Sequence, residues 1–210
     1  MDNTEIDILV IGAGVAGLSA TQALSKNGHS VCLIDAAHRI GGRAFSERLP
    51  NSSWFDLGCS YLHEGEINPF TAIAGGLGFA LGDGGRFERS RLKLTVNGVD
   101  ASAEELCSLN NLSDTCEMEM ANAKYNGTLA EDDDIASYID WDHRFSNLQA
   151  HLLGGLNASD VHQQSVSDYL KTSFGLDYPV VGGLGKLIEK WACGFLDKAS
   201  VFLNCKVSKI

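Results

Sequence analysis

Three glycines near the N-terminus have the spacing that suits a dinucleotide phosphate. Gly12, Gly14 and Gly17 form a G-x-G-x-x-G motif. In this motif the first glycine permits a tight turn, the second lets the backbone approach a pyrophosphate, and the third lets a helix pack closely on a strand. The free N–H groups at the start of that helix present a partial positive charge to the phosphates. We therefore predict cofactor contacts at Gly12, Ala13, Gly14, Val15, Ala16 and Gly17.

The elements around this motif are those that a dinucleotide-binding fold requires. An apolar, β-branched run at 6–11 predicts a strand that is buried on both faces, as in a parallel sheet. A helix pattern follows and closes at Gly28, which suits the left-handed position after a helix. A second strand over 30–35 ends in Asp35, 18 residues after Gly17. This strand–turn–helix–strand order predicts an α/β, Rossmann-like fold.

The acid at the end of the second strand indicates which dinucleotide the site takes. The Asp35 carboxylate can accept hydrogen bonds from both hydroxyls of a ribose, and it would repel a 2′-phosphate. That repulsion disfavours NADP, so NAD and FAD remain. Ala36, the next residue, is also predicted to contact the cofactor.

Three runs of sequence together are typical of one enzyme family. They are VIGAGVAGLSA at 10–20, LIDAAHRIGGRAFS at 33–46 and FDLGCSYLHEG at 55–65. These runs resemble the flavin-containing amine oxidases, which include monoamine, polyamine and L-amino-acid oxidases. The resemblance implies that FAD is the cofactor and that Gly42 and Arg43 contact its pyrophosphate. A glycine allows close approach there, and an arginine fork suits a pair of phosphate oxygens.

The third run is similar to the family segment that lies beneath the flavin ring. By this resemblance the flavin contacts are Gly58, Cys59, Ser60 and Tyr61. In the family, a valine in a strand that returns late to the FAD domain contacts the adenine. Its match is Val207, in a strand predicted over 201–210.

No residue is assigned to the catalytic step from the sequence. His63 is a candidate for the substrate side of the flavin, because the family segment has a histidine at this place. Asp56 directly precedes a Leu-Gly turn, and we predict that it caps backbone N–H groups rather than acting as a base.

A mostly helical insertion is predicted between two parts of the cofactor domain. Residues 1–65 are the predicted first segment of the FAD-binding domain, 66–175 the helical substrate-domain insertion, and 176–210 a return to the FAD-binding domain that is truncated at its end. In the resembled family the substrate domain interrupts the FAD domain at this position. The predicted fold class is therefore α/β, with an incomplete Rossmann-like FAD-binding domain and a mostly helical insertion.

Local signals predict the elements of the insertion. Asn68 before Pro69 is typical of a helix start, and Asn97-Gly98 is typical of a hairpin turn. Ser102 and Glu105 form a capping box that opens a helix, whose apolar stripe we expect to be packed core. Other segments are interpreted as a solvated acidic loop at 131–134 and as helices at 141–156 and 165–174.

The composition disfavours several classes of function. The 210 residues carry a formal net charge of −11, which disfavours nucleic acid and anionic membranes as partners. No apolar run approaches the roughly 20 residues that a membrane span needs. The six cysteines form no C-x-x-C pair and no zinc-type spacing with histidine. We therefore predict no metal site, reduced thiols and a cytoplasmic location.

The sequence ends at Ile210, within or just after the last predicted strand. An open α/β sheet normally continues and covers its edges, and the family pattern also continues well beyond this position. We therefore expect a fragment, or one piece of a split enzyme with a possible partner chain that supplies the C-terminal half.

The resemblance implies an FAD-dependent oxidoreductase that acts on a small-molecule amine. Such an enzyme oxidises a C–N bond by hydride transfer to the flavin and releases hydrogen peroxide. Two alternatives stay open: another flavin oxidoreductase, similar to carotenoid desaturases or protoporphyrinogen oxidases, and a non-catalytic dinucleotide-binding subunit that needs a partner chain. A Walker-type phosphate loop is excluded, because Val180 and Leu187 stand where that motif needs glycine and serine or threonine.

Overall fold

The computed structural model describes residues 5–85, 93–131, 133–171 and 175–209. The chain forms two compact units, one spanning Met1–Arg86 and Phe174–Ile210, and the other Phe87–Ser173. The second unit is thus an insertion in the first. The sequence predicts boundaries after residues 65 and 175, whereas residues 66–85 belong to the first unit in the structure. The assignment of the two units to a cofactor domain and a substrate domain stays a prediction.

The helices and strands of the described residues are mostly short. In chain order they are β1 (Ile8–Ile11), α1 (Val15–Lys26), β2 (Val31–Ile34), β3 (Ser46–Arg48), β4 (Trp54–Asp56), β5 (Tyr61–Leu62), α2 (Pro69–Gly76), β6 (Thr95–Val96), β7 (Val99–Asp100), α3 (Ala103–Tyr125), α4 (Ser146–Asn157), α5 (Val166–Tyr169), β8 (Tyr178–Pro179), α6 (Leu184–Cys193) and β9 (Ser200–Phe202). Within the described ranges, no helix combines the length and the apolar character that crossing a bilayer requires.

The first unit contains a parallel sheet of three strands in the order β1-β2-β9. All four residues of the middle strand, β2, are buried. β1 lies at an edge, with Leu9 and Ile11 exposed and Ile8 and Val10 half-buried. The prediction that the first strand is buried on both faces is therefore wrong. Such burial requires a covering layer on each face, and among the described residues only one face of β1 has such a layer.

Helices α1 and α6 cover one face of this sheet. Val10, Leu33 and Val201 lie side by side across the three strands and contact a core that includes Leu18 of α1 and Leu187 of α6. Leu18, Leu33 and Leu187 are fully buried. This layer of helices on a parallel sheet confirms the predicted α/β, Rossmann-like fold class.

The predicted turn and cap residues adopt the conformations that their types favour. Gly28 follows α1 with a φ of +86°. The Asn68 side chain caps α2, whose first residue is Pro69. Asn97 and Gly98 both have positive φ and join β6 to β7. These predictions are confirmed, since each depends on the chemistry of residues that are adjacent in sequence.

The second unit is organised by α3, the longest helix described. Its capping box is present: the Ser102 hydroxyl accepts the Glu105 N–H, and the Glu105 carboxylate accepts the Ser102 N–H at 3.0 Å. This backbone hydrogen bond from Ser102 holds the pKa of Glu105 below its ordinary value. The apolar stripe is packed core as predicted, and its buried members are Leu109, Leu112, Cys116 and Met120.

Two helices of the second unit are shorter than predicted. α4 begins at Ser146 instead of 141, and the Trp141 indole N–H donates to the Ala136 carbonyl at 2.9 Å, outside any helix. α5 covers only four residues, Val166–Tyr169, and the end of the predicted segment lies outside the described residues. The spacing of the apolar residues predicts helices that are too long here, because packed turns can place apolar residues at intervals similar to those of a helix.

The acidic run is more structured than a solvated loop. Asp133 accepts the Ala130 N–H at 2.9 Å and the Tyr138 hydroxyl at 3.0 Å. Asp134 accepts the Ser137 N–H at 2.9 Å. Burial, together with the hydrogen bond to Asp133, raises the pKa of Tyr138. The solvated-loop interpretation is therefore wrong for these two acids, while Asp132 lies outside the described residues.

Candidate dinucleotide-binding site

The glycine motif folds into a tight turn between β1 and α1. Gly12 has a φ of +101°, in the region that favours glycine, and its N–H donates to the Ile34 carbonyl at 2.8 Å. A Cβ added to Gly17 would overlap the Gly12 carbonyl oxygen. The path of the backbone therefore requires the first and third glycines, and α1 starts directly against the end of β1.

The N-terminus of α1 has no side-chain cap. Its N-cap, Gly14, is extended and has no side chain, and the first turn contains no acidic residue. The first N–H to find a partner within the helix is that of Leu18, which donates to the Gly14 carbonyl at 2.9 Å. The start of this 12-residue helix thus presents N–H donors and the positive end of the helix dipole, which suits a phosphate.

The N-terminus of α6, which also follows a glycine, is occupied instead. The Asp56 carboxylate accepts the N–H groups of Leu184 and Gly185 at 3.2 and 3.5 Å. It also accepts the Ser46 hydroxyl at 2.5 Å. The predicted capping role of Asp56 is confirmed. Of these two helices, α1 is the one that leaves its positive end for a ligand.

A second glycine segment lies against the first. The Gly41 N–H donates to the Ala13 carbonyl at 2.8 Å. A Cβ on Gly42 would lie 3.1 Å from the Cα of Gly14, which is closer than an ordinary contact, so the close approach of the two backbones depends on Gly42 having no side chain. Gly42 and the next residue, Arg43, are exposed. An arginine therefore stands on the accessible side of the glycine turn.

The segment 58–61 is held next to Arg43 through its backbone. The Cys59 N–H donates to the Arg43 carbonyl at 3.0 Å, and a Cβ on Gly58 would overlap the same oxygen. The Ser60 hydroxyl donates to the Gly58 carbonyl at 3.4 Å. Tyr61 opens β5 and is half exposed. The structure thus brings together three of the predicted contact segments, 12–17, 42–43 and 58–61.

Asp35 has a structural role that sequence reasoning missed. Its two carboxylate oxygens accept the N–H groups of Ala13 at 2.6 Å and of Ala37 at 2.7 Å. Ala13 is fully buried, and both of its backbone groups are bonded, so it supports the loop rather than offering a free donor. Each carboxylate oxygen keeps a further lone pair, and the ribose contact stays a prediction. Ala36, which follows Asp35, is exposed.

The return of the chain to the first unit differs from the prediction. β9 ends at Phe202, so Val207 lies in irregular backbone and not in the predicted strand. Beyond β9 the Cys205 N–H donates to the Asp35 carbonyl at 2.8 Å. The segment therefore runs beside the end of β2. The adenine contact of the half-buried Val207 stays a prediction.

The junction around Asp56 contains residues that sequence reasoning missed. Ser46 is buried, and a Cβ on either Gly183 or Gly185 would overlap it. Gly183 also has a φ of +101°. The glycine run before α6 is the local sequence signal of this junction, and it allows close packing against Ser46.

His63 is paired with a carboxylate. Its Nδ1 lies 2.9 Å from the Asp177 Oδ1, beside the antiparallel pair of β5 and β8. The His63 side chain is 76% exposed, and its ring centroid lies 6.4 Å from that of Tyr61. This arrangement orients the imidazole and leaves Nε2 available for a proton. In the described part of the chain, no three metal-ligating side chains converge.

Comparison with known proteins identifies relatives that match part of this chain. Residues 10–73 match the family model of the NAD(P)-binding Rossmann-like domain. The chain is 35% identical over 97 residues to an L-amino acid dehydrogenase of Synechocystis sp., covering 41% of this chain and 21% of the relative. It is 39% identical over 57 residues to the flavin-containing amine oxidase A of Sus scrofa, covering 27% and 11%. It is 44% identical over 57 residues to the L-amino-acid oxidase of Siganus canaliculatus, again covering 27% and 11%.

Solved structures of putrescine oxidase have a similar fold. A double mutant of that enzyme gives a TM-score of 0.59 at 21% identity, covering 96% of this chain and 51% of that chain. The wild-type enzyme bound to putrescine gives a TM-score of 0.54 at 20% identity, covering 95% of this chain and 51% of that chain. The chain thus matches about half of the solved chains and 11–21% of these curated relatives. The predicted resemblance to flavin-containing amine oxidases is confirmed for the matched residues.

Proposed function

We propose that this chain, homologous to flavin-containing amine oxidases over its N-terminal residues, binds FAD as the dinucleotide-binding part of an amine-oxidising flavoprotein. The observation that carries the proposal is the open N-terminus of α1 beside the Gly41-Gly42 segment. An anionic group finds free N–H donors there, whereas Asp56 already occupies the start of α6. The amine and L-amino-acid oxidases that match part of this chain support FAD as the dinucleotide.

In this proposal three parts of the first unit hold the cofactor. The N–H groups at the start of α1 and the exposed Arg43 bind the pyrophosphate. Asp35 accepts hydrogen bonds from the ribose while it braces the glycine loop. The remaining proposed contacts are Gly12, Gly14, Val15, Ala16, Gly17, Ala36 and Gly42 around the phosphates and adenosine, Gly58, Cys59, Ser60 and Tyr61 at the flavin, and Val207 at the adenine.

The bound cofactor would supply the redox chemistry. When held by the start of α1, Arg43 and Asp35, FAD would supply hydride-accepting chemistry for the oxidation of the C–N bond of a small-molecule amine, with oxygen reduced to hydrogen peroxide. The residues of this chain fix the cofactor in place. His63, oriented by Asp177 and two residues after Tyr61, can hold a proton on the exposed side of that segment.

The chain covers 51% of the putrescine oxidase chains, so the activity of a whole amine oxidase is a proposal for this chain. We also propose a cytoplasmic location. No disulfide joins the six cysteines, all of which lie in the described residues, and this suits a reducing compartment.

The first test is the absorption spectrum of the 210-residue protein as it elutes from a sizing column. We expect a flavin band that elutes with a compact species after incubation with FAD. Under anaerobic conditions, putrescine or an L-amino acid should bleach this band, and NADH should not. A compact species that retains no flavin would contradict FAD binding, and bleaching by NADH alone would contradict the amine-oxidising role.

Replacing Asp35 with alanine should weaken FAD binding by about 1–3 kcal/mol, since a charge-assisted hydrogen bond to the ribose is lost and the Ala13 N–H loses its acceptor. The dissociation constant is measured by quenching of flavin fluorescence. Asp100→Ala removes the same charge from an exposed position in the second unit and should leave the affinity unchanged. Equal affinity of the Asp35 variant and the parent would exclude the ribose assignment.

A further inference from the structure

Arg39 turns its guanidinium back onto the backbone that follows it. Its Nη1 donates to the Ile40 carbonyl at 3.2 Å and to the Gly42 carbonyl at 2.8 Å. The guanidinium carbon also lies 3.9 Å from the centroid of the Phe45 ring, which is a cation–π contact. One side chain thus joins three points of the chain, and sequence reasoning assigns no role to it.

The backbone that Arg39 holds is a tight turn that begins with two glycines. Gly41 and Gly42 have φ values of +95° and +58°, and the Ala44 N–H closes the turn on the Gly41 carbonyl at 3.0 Å. The peptide group between Gly42 and Arg43 lies in the middle of this turn. The middle peptide of a β-turn can take two opposite orientations, which distinguish the turn types. A hydrogen bond to the Gly42 carbonyl therefore selects one of them.

The selected orientation directs the Arg43 N–H away from the guanidinium. In a trans peptide the C=O and N–H bonds point in opposite directions, and no peptide bond of the described residues is cis. The peptide between Ile40 and Gly41 shows the same arrangement: its carbonyl faces Arg39, and its N–H donates to the Ala13 carbonyl at 2.8 Å. Among the described residues, no backbone acceptor takes the Arg43 N–H. This N–H is therefore a donor that the turn leaves for a ligand.

The turn lies beside the start of α1, where the proposed function places the pyrophosphate. Gly42 packs against Gly14, the N-cap of α1. A phosphate at this place is attracted by N–H groups and repelled by carbonyl oxygens. If the peptide between Gly42 and Arg43 turned over, it would present its carbonyl oxygen where the N–H now points. The position of the Gly42 carbonyl thus decides whether this peptide attracts or repels the phosphate.

The two arginines on either side of the glycine pair have different surroundings. Arg39 is half-buried, and its Nη1 already donates to two backbone carbonyls. Arg43 is exposed, so its guanidinium is accessible to a pair of phosphate oxygens. Only one of the two is therefore placed for direct contact with a ligand.

We propose that Arg39 is a positioning residue for the cofactor: by holding the Gly42 carbonyl it aims the Arg43 N–H at the pyrophosphate, and it does not contact the cofactor itself. The inference deepens the proposed function and rests on it, since the pyrophosphate is that of FAD. Arg43 binds the phosphate directly, whereas Arg39 acts through the orientation of a peptide group.

The dissociation constant of FAD, measured by quenching of flavin fluorescence, tests the proposal on the 210-residue protein. Arg39→Met keeps an apolar stem over Phe45 but has no donor, and it should raise the constant about tenfold, as expected when a hydrogen bond from a charged group is lost. Arg39→Lys should stay within about threefold of the parent, because its ammonium can donate to the Gly42 carbonyl. The control is Arg48→Met, since Arg48 is an exposed arginine of the same unit whose Nε donates to the Ser52 carbonyl at 3.5 Å. This variant should bind FAD as the parent does.

The dependence of binding on salt separates positioning from direct contact. Attraction between exposed charges weakens as salt shortens the screening length, which is about 3 Å at about 1 M. Arg43→Met should therefore lose less affinity at about 1 M NaCl than at about 0.05 M, whereas the loss in Arg39→Met should be alike at both. A loss in Arg39→Met that fades with salt would indicate direct contact with the phosphate and would overturn the proposal.

Two further results would also overturn it. One is equal affinity of Arg39→Met and the parent, and the other is equal affinity of the Met and Lys variants, because a donor at this position would then be irrelevant. Circular dichroism verifies that each variant is folded as the parent is. A parent protein that binds no FAD would contradict the proposed function itself, and the inference would fall with it.

Discussion

Replacing Gly17 with alanine should destabilise the first unit by about 3 kcal/mol, near the upper end of the usual cost of overpacking. The added Cβ would overlap the Gly12 carbonyl oxygen, which belongs to the backbone and cannot rotate away as a side chain would. The start of α1 would have to move off the end of β1. Because the N–H donors at that helix end form the proposed pyrophosphate site, FAD retention should be lost as well. Urea unfolding and flavin absorbance measure the two effects.

The matched control is Gly75→Ala in α2, in the same unit. A Cβ on Gly75 meets nothing within 4 Å, and alanine has the higher helix propensity. This variant should be as stable as the parent, or up to about 1 kcal/mol more stable, with its flavin retained. If Gly17→Ala and Gly75→Ala unfolded at the same urea concentration, that result would contradict the close packing of Gly17 against Gly12.

Replacing Asp56 with alanine should cost about 2–3 kcal/mol of stability, the sum of a lost helix cap and a buried hydroxyl left without its partner. The carboxylate accepts two N–H groups at the start of α6 and the hydroxyl of the buried Ser46. The free energy of unfolding is measured in urea. Asp56→Asn keeps one acceptor oxygen, so its free energy of unfolding should fall by about half as much as that of Asp56→Ala.

A double-mutant cycle tests the coupling of these residues. Ser46→Ala in the Asp56→Ala background should cost less than Ser46→Ala alone, because the partner of the hydroxyl is already gone. Glu47→Ala removes an exposed acid from the same hairpin and should change stability by less than about 0.5 kcal/mol. Additive effects of the Ser46 and Asp56 substitutions would contradict the capping arrangement.

The sequence predicts well the part of the site that depends on neighbouring residues. Gly12 and Gly28 adopt the positive φ that their positions require, and Asn68 caps α2. The same holds for the order β1–α1–β2, since strand, turn and helix patterns are local. Residue types and their spacing are therefore enough to locate the glycine loop.

The parts that sequence reasoning missed depend on contacts between distant residues. The bond from the Leu184 N–H to Asp56 joins residues 128 positions apart, and no local pattern identifies Ser46 as the third member of that group. Leu9 is exposed, which contradicts its predicted burial. The type of a residue indicates only that it prefers to be buried, whereas actual burial depends on what covers the strand. The sequence identifies Asp35 as an acid at a strand end, but its bond to Ala13 forms only when the loop is folded.

The insertion of the second unit determines the order in which the protein can fold during synthesis. β9, which completes the parallel sheet, ends at Phe202, 168 residues after Ile34 at the end of β2. A ribosome that adds about 5–20 residues per second needs roughly 10–30 s to cover that distance. The second unit is continuous in sequence and can fold within this interval. Throughout that interval β1 and β2 lack β9 and α6, so part of their apolar surface stays uncovered on the nascent chain, and such surface is what chaperones bind.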